Sequence, residues 1–286
     1  MSRHYVLDPA MPVLVRPDGA VQVGWDPRRA VLVSPPQGLS PAGLAAVLRL
    51  MQANAGTDEL IREAVDRGAV DTTEFTALVD ALVDAGVATP KPVGTGGRAA
   101  SIRVHGRGPL SDLLVDGLRC SGARIQHSNQ PHAVMRPDGT DLVVLSDYLV
   151  VEPRMVRELH DAGIPHLQVR VRDGVGLVGP LVIPGVTSCL ACADLHRSDR
   201  DAAWPVVAAQ LRDTVGTADR ATMLATAALA LNQVDTVIRA VRDSAAPERS
   251  AADPQAPSTL STTLEFDVSA GTIVARRWPR HPRCPC

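Results

Sequence analysis

Short apolar runs and helix-period patterns fill the first 89 residues and predict a small α/β module. The stretch "PVLVRPDGAVQVGW" places two apolar runs around Asp18-Gly19, a strong hairpin signal, and "RRAVLVSPP" adds a third extended segment. Three amphipathic helices follow: Ser40 caps the first, the second begins at Thr57, and an Asp71/Glu74 capping box opens the third. Three strands and three helices in about 85 residues indicate a winged-helix-like module.

Beyond residue 100 the pattern becomes that of a doubly wound α/β domain. "SIRVHGRGPLSDLLVDGL" indicates a strand, a glycine turn and a helix, and "DLVVLSD" is a buried strand of the parallel-sheet kind. A long apolar helix is predicted over Ala221–Val241, and the last strands form a pair that turns at Ala270-Gly271. The Pro- and Gly-rich residues 90–100 are predicted to link a domain at 1–89 to one at 101–286.

The glycine turn only partly matches a nucleotide-binding loop. Gly106 and Gly108 occupy the first two positions of the dinucleotide fingerprint, but Ser111 stands where the third glycine belongs. The acid expected about 20 residues on is also missing, because "RIQHSN" has Gln126 and His127 there. We therefore predict a degenerate loop that keeps the strand-to-helix turn, and expect no nucleotide cofactor.

Composition narrows the possible function classes. The net charge is −2 and aromatic residues make up 2% of the chain, which is unlike a nucleic-acid-binding protein. No signal peptide is recognisable, and no apolar run approaches the roughly 20 residues that span a bilayer. The sequence thus predicts a cytoplasmic protein with no nucleic-acid or membrane partner.

Four of the five cysteines form two short pairs that suit a metal. Cys189 and Cys192 form a CxxC, and Cys284 and Cys286 form a CxC about ninety residues later. Four thiolates suit tetrahedral Zn²⁺ and leave no position for a reactive water, so such a zinc would be structural. The alternatives are a redox CxxC or unconnected surface thiols. The fifth cysteine, Cys120, is predicted to be a packing residue.

The charge of the third helix indicates whether this winged-helix-like module is more suited to binding DNA or to binding a peptide. "TTEFTALVDALVDAG" carries Glu74, Asp80 and Asp84 and has no Lys or Arg, whereas a helix that reads DNA carries cations for the phosphates. A peptide that pairs with the third strand and rests on the third helix fits better. A structural cap without a ligand is the remaining alternative.

Several of these stretches resemble a known family. "GPLVIPG" before the CxxC, "LHRSDRDAAWP" after it and the terminal "HPRCPC" closely resemble ThiF-like partner proteins of YcaO cyclodehydratases, the C-type proteins of thiazole/oxazole-modified microcin (TOMM) biosynthesis. The first module resembles the PqqD-like RiPP recognition element of that family. The resemblance implies a degenerate ThiF-like, Rossmann-type domain, with the four cysteines as zinc ligands.

The resemblance also implies where a peptide and a protein partner would bind. In this family the leader of a ribosomal precursor peptide adds as a strand between the third strand and the third helix. On this sequence that implies a peptide-binding set of Ala30, Val31, Leu32, Val33, Ser34, Thr73, Phe75, Thr76, Val79, Asp80 and Val83. The charged segment Leu195–Pro205 is either a solvated loop with Trp204 tucked against the domain or a docking surface for the YcaO protein, through His196, Arg197, Asp199, Arg200 and Trp204.

The sequence therefore predicts a non-catalytic adaptor. It would bind a precursor leader and present it to a YcaO cyclodehydratase, carried on another chain, for azoline formation. Two alternatives stay open: an ATP-dependent ThiF-like adenylating enzyme and a winged-helix DNA-binding regulator. A homodimer is a further expectation, which rests on the usual state of ThiF-like proteins.

Overall fold

The computed structural model describes residues 4–53, 55–91, 98–129, 139–243 and 256–286. Internal contacts divide the chain into two compact units, residues 1–95 and 96–286, and each unit is described by itself. Together they form a mixed α/β protein, as the sequence predicts at this level.

The first unit contains five short strands and three helices. The strands are β1 (His4–Leu7), β2 (Val13–Val15), β3 (Val21–Val23), β4 (Val31–Val33) and β5 (Ala88–Lys91), and the helices are α1 (Pro41–Gln52), α2 (Thr57–Asp66) and α3 (Thr72–Asp84). Strands β2, β3 and β4 form an antiparallel sheet in that order, which leaves β4 at an edge. A single apolar core joins the helices to this sheet.

Local signals set the helix boundaries in the first unit. Ser40 accepts a hydrogen bond from the Gly43 amide and so caps α1, which begins with a proline. Asp71 caps α3 by accepting from Thr73. The predicted Asp71/Glu74 capping box is only half formed, because Glu74 instead accepts from the Gln37 amide at 3.0 Å.

The pairing of β1 with β5 corrects the predicted linker. His4–Leu7 runs antiparallel to Ala88–Lys91, so Pro90 and Lys91 belong to a strand and not to the linker 90–100. Proline is tolerated in such an edge ribbon. The pairing joins residues more than 80 positions apart, and a local pattern cannot reveal it.

The second unit is built on one seven-stranded sheet. Its strands are β6 (Ser101–His105), β7 (Arg124–Ser128), β8 (Leu142–Ser146), β9 (His166–Arg172), β10 (Val175–Val182), β11 (Thr262–Asp267) and β12 (Thr272–Arg277). The order is β12-β11-β10-β9-β8-β6-β7. Strands β7, β6, β8 and β9 are parallel, and β10 to β12 continue the sheet antiparallel.

Helices cover both faces of this sheet. They are α4 (Pro109–Leu118), α5 (Pro153–Asp161), α6 (Leu190–Arg200), α7 (Trp204–Gln210) and α8 (Arg220–Asp243). Apolar residues of α4 and α8 pack on one face, whereas α5 and the start of α6 pack on the other. Among the described helices, α8 is the one long and apolar enough to span a membrane, and its Ala230, Val234 and Ile238 lie buried in the core.

One prediction about the cysteines is wrong. Cys120 was expected to pack in the interior, but its side chain is exposed at the end of α4. The last apolar contact of α4 is made by Leu118, and the chain turns away at Gly122. The CxxC and CxC cysteines, by contrast, are buried or half-buried.

Candidate functional site

The two distant cysteine pairs meet beside the sheet. Cys189 is the N-cap of α6 and Cys192 lies in its first turn, so the helix start presents both sulfurs on one side. The chain after β12 returns to this helix and ends with Cys284 and Cys286. The Sγ–Sγ distances are 3.8 Å for Cys189–Cys192, 3.5 Å for Cys189–Cys284 and 3.3 Å for Cys192–Cys286.

This geometry fits a four-thiolate metal centre. All four sulfurs lie within 4.8 Å of one another. A Zn–S bond of about 2.3 Å puts the sulfurs of a tetrahedral site about 3.8 Å apart, close to the spacing found here. Because four protein ligands fill a tetrahedral ion completely, the centre would fasten the chain end and would not activate water.

The thiols differ in their readiness to ionise. Burial raises the pKa of the Cys189 thiol, and burial together with the Cys192 contact raises the pKa of Cys286. Burial acts the same way on Cys192, but the hydrogen bonds to its sulfur, with the His281 amide at 3.3 Å first among them, together lower the pKa of that thiol. An N–H···S bond of this kind stabilises a thiolate, which is the form that binds metal.

His281 lies at the centre of a hydrogen-bond network behind the cysteines. Its Nδ1 accepts from the Arg283 amide at 3.1 Å, so Nε2 carries the proton and donates to Asp199 at 2.7 Å. Asp199 also pairs with the Arg283 side chain. The His196, Asp199 and His281 ligand atoms lie close together, but both ring nitrogens of His281 are engaged. In the structure this trio therefore positions the segment that carries Cys284 and Cys286.

A second set of contacts holds Trp278, which lies just before the segment that carries Cys284 and Cys286. The Arg197 guanidinium lies 5.2 Å from the Trp204 ring centre and 4.7 Å from that of Trp278. Asp194 accepts hydrogen bonds from Arg197 at 2.8 Å and from the Trp204 indole at 3.2 Å. Each cation–π contact of this kind contributes about 0.5–2 kcal/mol.

The predicted docking residues thus have structural partners within the second unit. His196 donates to the Pro279 carbonyl at 3.0 Å, Arg197 and Trp204 belong to the cluster around Asp194, and Asp199 holds His281. Arg200 is exposed. The segment Leu195–Pro205 is not simply a solvated loop, because residues 195–200 form the second half of α6 and Trp204 begins α7.

The glycine loop wraps around a carboxylate that the sequence analysis missed. Asp147 follows β8, is 1% exposed, and accepts hydrogen bonds from the amides of Leu110 at 2.9 Å and Ser111 at 3.2 Å. A Cβ on Gly106 would lie 2.5 Å from Asp147 Oδ2, and one on Gly108 would lie 2.7 Å from Oδ1. The two glycines therefore make room for this carboxylate.

Ser111 and Asp147 together complete the start of α4. The Ser111 hydroxyl donates to the Gly108 carbonyl at 2.8 Å and accepts from the Gly108 amide at 3.1 Å. Burial raises the pKa of Asp147, while the hydrogen bonds from Ser111 and Leu110 act in the opposite direction. The amides at a helix N-terminus favour an anion, and here the protein's own side chain provides it.

The predicted peptide site divides into exposed and supporting residues. On β4 and its flanks, Leu32 and Ser34 are exposed, whereas Ala30, Val31 and Val33 are half-buried. On α3, Thr73, Thr76 and Asp80 are exposed and Val83 is half-buried. Phe75 and Val79 are 2% and 4% exposed and belong to the core.

Local contacts bring β4 and α3 to the same core. Val31, Val33 and Val83 pack against the cluster that contains Phe75 and Val79. The hydrogen bond from the Gln37 amide to Glu74 holds the chain after β4 near the first turn of α3. Among the described residues no strand pairs with the outer edge of β4, so its backbone groups on that side are available.

Comparison with known proteins gives a fold relationship. No protein-family model matches the chain, and no curated protein matches it. A solved heterocyclase in complex with substrate and cofactor matches at a TM-score of 0.68 and 16% identity, over 98% of this chain and 39% of that one. The heterocyclase TruD matches at 0.66 and 15%, over 99% and 42%.

A second kind of relative matches from end to end. Escherichia coli MccB with ATP gives a TM-score of 0.59 at 12% identity, over 100% of this chain and 99% of that one. MccB with a form of MccA bound gives the same TM-score at 14% identity. The chain thus has the fold of MccB and of about two fifths of the heterocyclase chains, at identities too low to carry function over.

Proposed function

We propose that this chain binds the leader of a ribosomal precursor peptide and presents that peptide to a separate YcaO cyclodehydratase. The recognition module would be a winged-helix-like RiPP recognition element in the first unit. The second unit would be a ThiF-like, Rossmann-type scaffold that lacks its ancestral chemistry. The partner would use ATP to form azolines from Cys, Ser or Thr residues.

The observation that carries this proposal is the free edge of β4. Edge strands with unpaired amides and carbonyls are the usual template for strand addition by a peptide. The half-buried Val31, Val33 and Val83 supply apolar support beside that edge, and the exposed Thr76 and Asp80 supply polar contacts on α3. Main-chain pairing would provide affinity, and these side chains would provide specificity.

The fold relatives favour peptide maturation as the general role. A heterocyclase complex with its substrate and MccB complexes with forms of MccA share this fold. The chain spans only 39% and 42% of the two heterocyclases, and the proposal assigns the cyclisation to the YcaO protein. A cytoplasmic location is consistent with this role.

The end-to-end match to MccB with ATP favours a second candidate, an adenylating enzyme. The surroundings of Asp147 oppose it. A carboxylate that already accepts from the Leu110 and Ser111 amides competes with a nucleotide phosphate for the same donors, and the two negative charges repel. The third candidate, a DNA-binding regulator, is disfavoured by the acidic α3 helix.

Within this proposal the metal centre has a structural role. Zinc held by Cys189, Cys192, Cys284 and Cys286 would fasten the chain end to α6. The exposed Arg200 and the outer atoms of His196, Arg197, Asp199 and Trp204 would form the contact with the YcaO protein. A homodimer remains part of the proposal through the exposed positions of α8, such as Leu224.

Affinity for the precursor leader tests the proposal. A labelled leader peptide is titrated with the wild-type chain and with the double variant Thr76→Arg/Asp80→Arg, which places two long side chains on the exposed face of α3. We expect at least a tenfold loss of affinity. Asp66→Arg, at an exposed position of α2, is the matched control and should bind as the wild type does. Equal binding by all three proteins would contradict the proposed groove.

A further inference from the structure

Arg170 is a buried cation that forms no ion pair with any residue that the structure describes. It lies near the carboxyl end of β9 and is 8% exposed. In the part of the chain that the structure describes, its guanidinium makes one hydrogen bond, from Nη1 to the Leu149 carbonyl at 2.6 Å, and no ion pair. A guanidinium has five N–H donors, so most of its hydrogen-bonding capacity is unused.

The nearby carboxylates are engaged by other arginines. Asp194 pairs with Arg197 at 2.8 Å, and Glu265 pairs with Arg276 at 2.9 Å and with Arg172 at 3.7 Å. Burial and then Arg197 lower the pKa of Arg170 to about 9, while Asp194 and Glu265 act in the opposite direction without outweighing them. Arg172 also lies 3.9 Å from Asp173, so of these four arginines Arg170 is the one that forms no ion pair with the described residues.

This arrangement lowers the stability of the fold, so we look for a function that accounts for it. Burying an ionised group without a partner is unfavourable, and buried charges in proteins are normally paired. The position of Arg170 suggests the use. The carboxyl ends of parallel strands, here those of β8 and β9, are where open α/β sheets bind ligands.

We propose that Arg170 is the centre of an oxyanion site that takes a carboxylate supplied from outside the chain. The donors on Nε and Nη2 form the planar fork that binds two carboxylate oxygens side by side. Arg172 and Arg197 add positive potential around this fork, and Leu149 fixes the plane of the guanidinium through Nη1. Arg170 and the two arginines beside it are not ligands of the cysteine centre.

The carboxylate has two possible sources that share this chemistry. One is a free small dicarboxylate, and the other is an acidic side chain of the protein partner, a reading that rests on the proposed function. Each source gives a distinct result with the same variants. Arg170→Met removes the charge and keeps the apolar stem, and Arg170→Gln keeps a donor for Leu149. Arg154→Met, which breaks an exposed pair with Glu158, is the control.

The first experiment measures thermal unfolding of the full chain in sodium malonate, potassium phosphate and sodium chloride at equal ionic strength. For a free oxyanion, the wild type and Arg154→Met gain about 2–4 °C in malonate or phosphate, saturating with concentration, and the Arg170 variants gain nothing. In chloride, Arg170→Met should unfold at the wild-type temperature or above, because it removes an uncompensated charge.

The second experiment measures binding to the partner cyclodehydratase. If the wild type shows no saturable anion effect but Arg170→Met and Arg170→Gln each bind the partner at least tenfold more weakly than Arg154→Met does, the carboxylate belongs to the partner. If the anion response and the partner affinity are both independent of Arg170, the site does not exist, even where leader binding is intact. Lower stability of both Arg170 variants in chloride, with no loss of either response, would assign Arg170 a purely structural role.

Discussion

The Asp147 carboxylate lies 3.2 Å from the Ser111 amide, at the point where a dinucleotide-binding fold holds a phosphate. Ser111 is the residue that replaces the third glycine of the fingerprint. Asp147 directly follows β8, which pairs with β6, the strand that leads into the glycine loop. Loss of the glycine and gain of an internal anion therefore occur together, in one small region.

Removing this carboxylate should expose an anion site. Asp147 has φ of +71°, a conformation that glycine adopts without strain, so Asp147→Gly removes the side chain and keeps the backbone. We expect the wild type not to bind ADP, and Asp147→Gly to bind it, in calorimetric titrations. The variant should also lose about 1–3 kcal/mol of unfolding free energy, because two helix amides lose their acceptor. Tight ADP binding by the wild type would restore the adenylating enzyme as the leading candidate.

The cysteine centre predicts a stoichiometric metal. The purified chain should contain one zinc per molecule, and Cys284→Ala/Cys286→Ala should contain none and unfold at a lower temperature, because two of four ligands are gone. Cys120→Ala, an exposed position outside the centre, is the control and should keep its zinc. Elemental analysis decides the matter, and full zinc retention by the double variant would place the metal elsewhere.

Weakening the hydrogen-bond network around His281 should lower stability less than removing two of the cysteines does. Asp199→Asn keeps the shape of the side chain but weakens its bonds to His281 and Arg283. We expect a loss of about 1–2 kcal/mol in chemical unfolding and faster zinc transfer to a chelator, while the zinc content stays at one. Asp201→Asn, which also lies at the end of α6, should release zinc at the wild-type rate.

Two buried histidines predict a loss of stability in acid. Burial lowers the pKa of His166 to about 4, and burial with Arg103 and His127 lowers that of His105 to about 4. Below the ordinary histidine pKa of 6.5 the unfolded chain takes up protons that the folded chain does not, so stability falls as the pH drops from 6.5 to 4. Each histidine accounts for about 3 kcal/mol over this interval.

His166→Asn isolates one of these contributions. The asparagine amide keeps a donor for the Ile164 carbonyl, which the His166 ring contacts at 3.0 Å, and it does not titrate. The fall in unfolding free energy between pH 6.5 and 4 that is due to the two histidines should therefore be halved in the variant. Identical pH slopes for the two proteins would mean that His166 is not neutral and buried in solution.

Sequence patterns predicted the parts of the fold that depend on local chemistry. The caps at Ser40 and Asp71, the three helices of the first unit and the convergence of the cysteine pairs all follow from residue types at fixed short spacings. The β1/β5 ribbon was missed, because its pairing links the two ends of the unit and its second strand contains a proline. Only the folded chain brings such segments together.

The candidate sites likewise divide into residues that local sequence could have indicated and residues that it could not. Asp147 was missed although its signal was present, namely an acid directly after a buried strand that neighbours the glycine loop in the sheet. The contacts of Arg197 with Trp204 and Trp278 could not be predicted, because Trp278, which completes their cluster, lies about 75 positions away. Arg170 gave no signal at all, since alternating polar residues on a strand normally face solvent.

Hydrogen exchange at β4 tests the central proposal most directly. The full chain is exchanged with and without a saturating amount of the precursor leader, and amide protection is compared by segment. The proposal predicts new protection at residues 30–34 and 73–83, since an added strand hydrogen-bonds to the free edge of β4 and rests on α3. Leader binding that leaves both segments unprotected, or no binding of any part of the precursor, would contradict it.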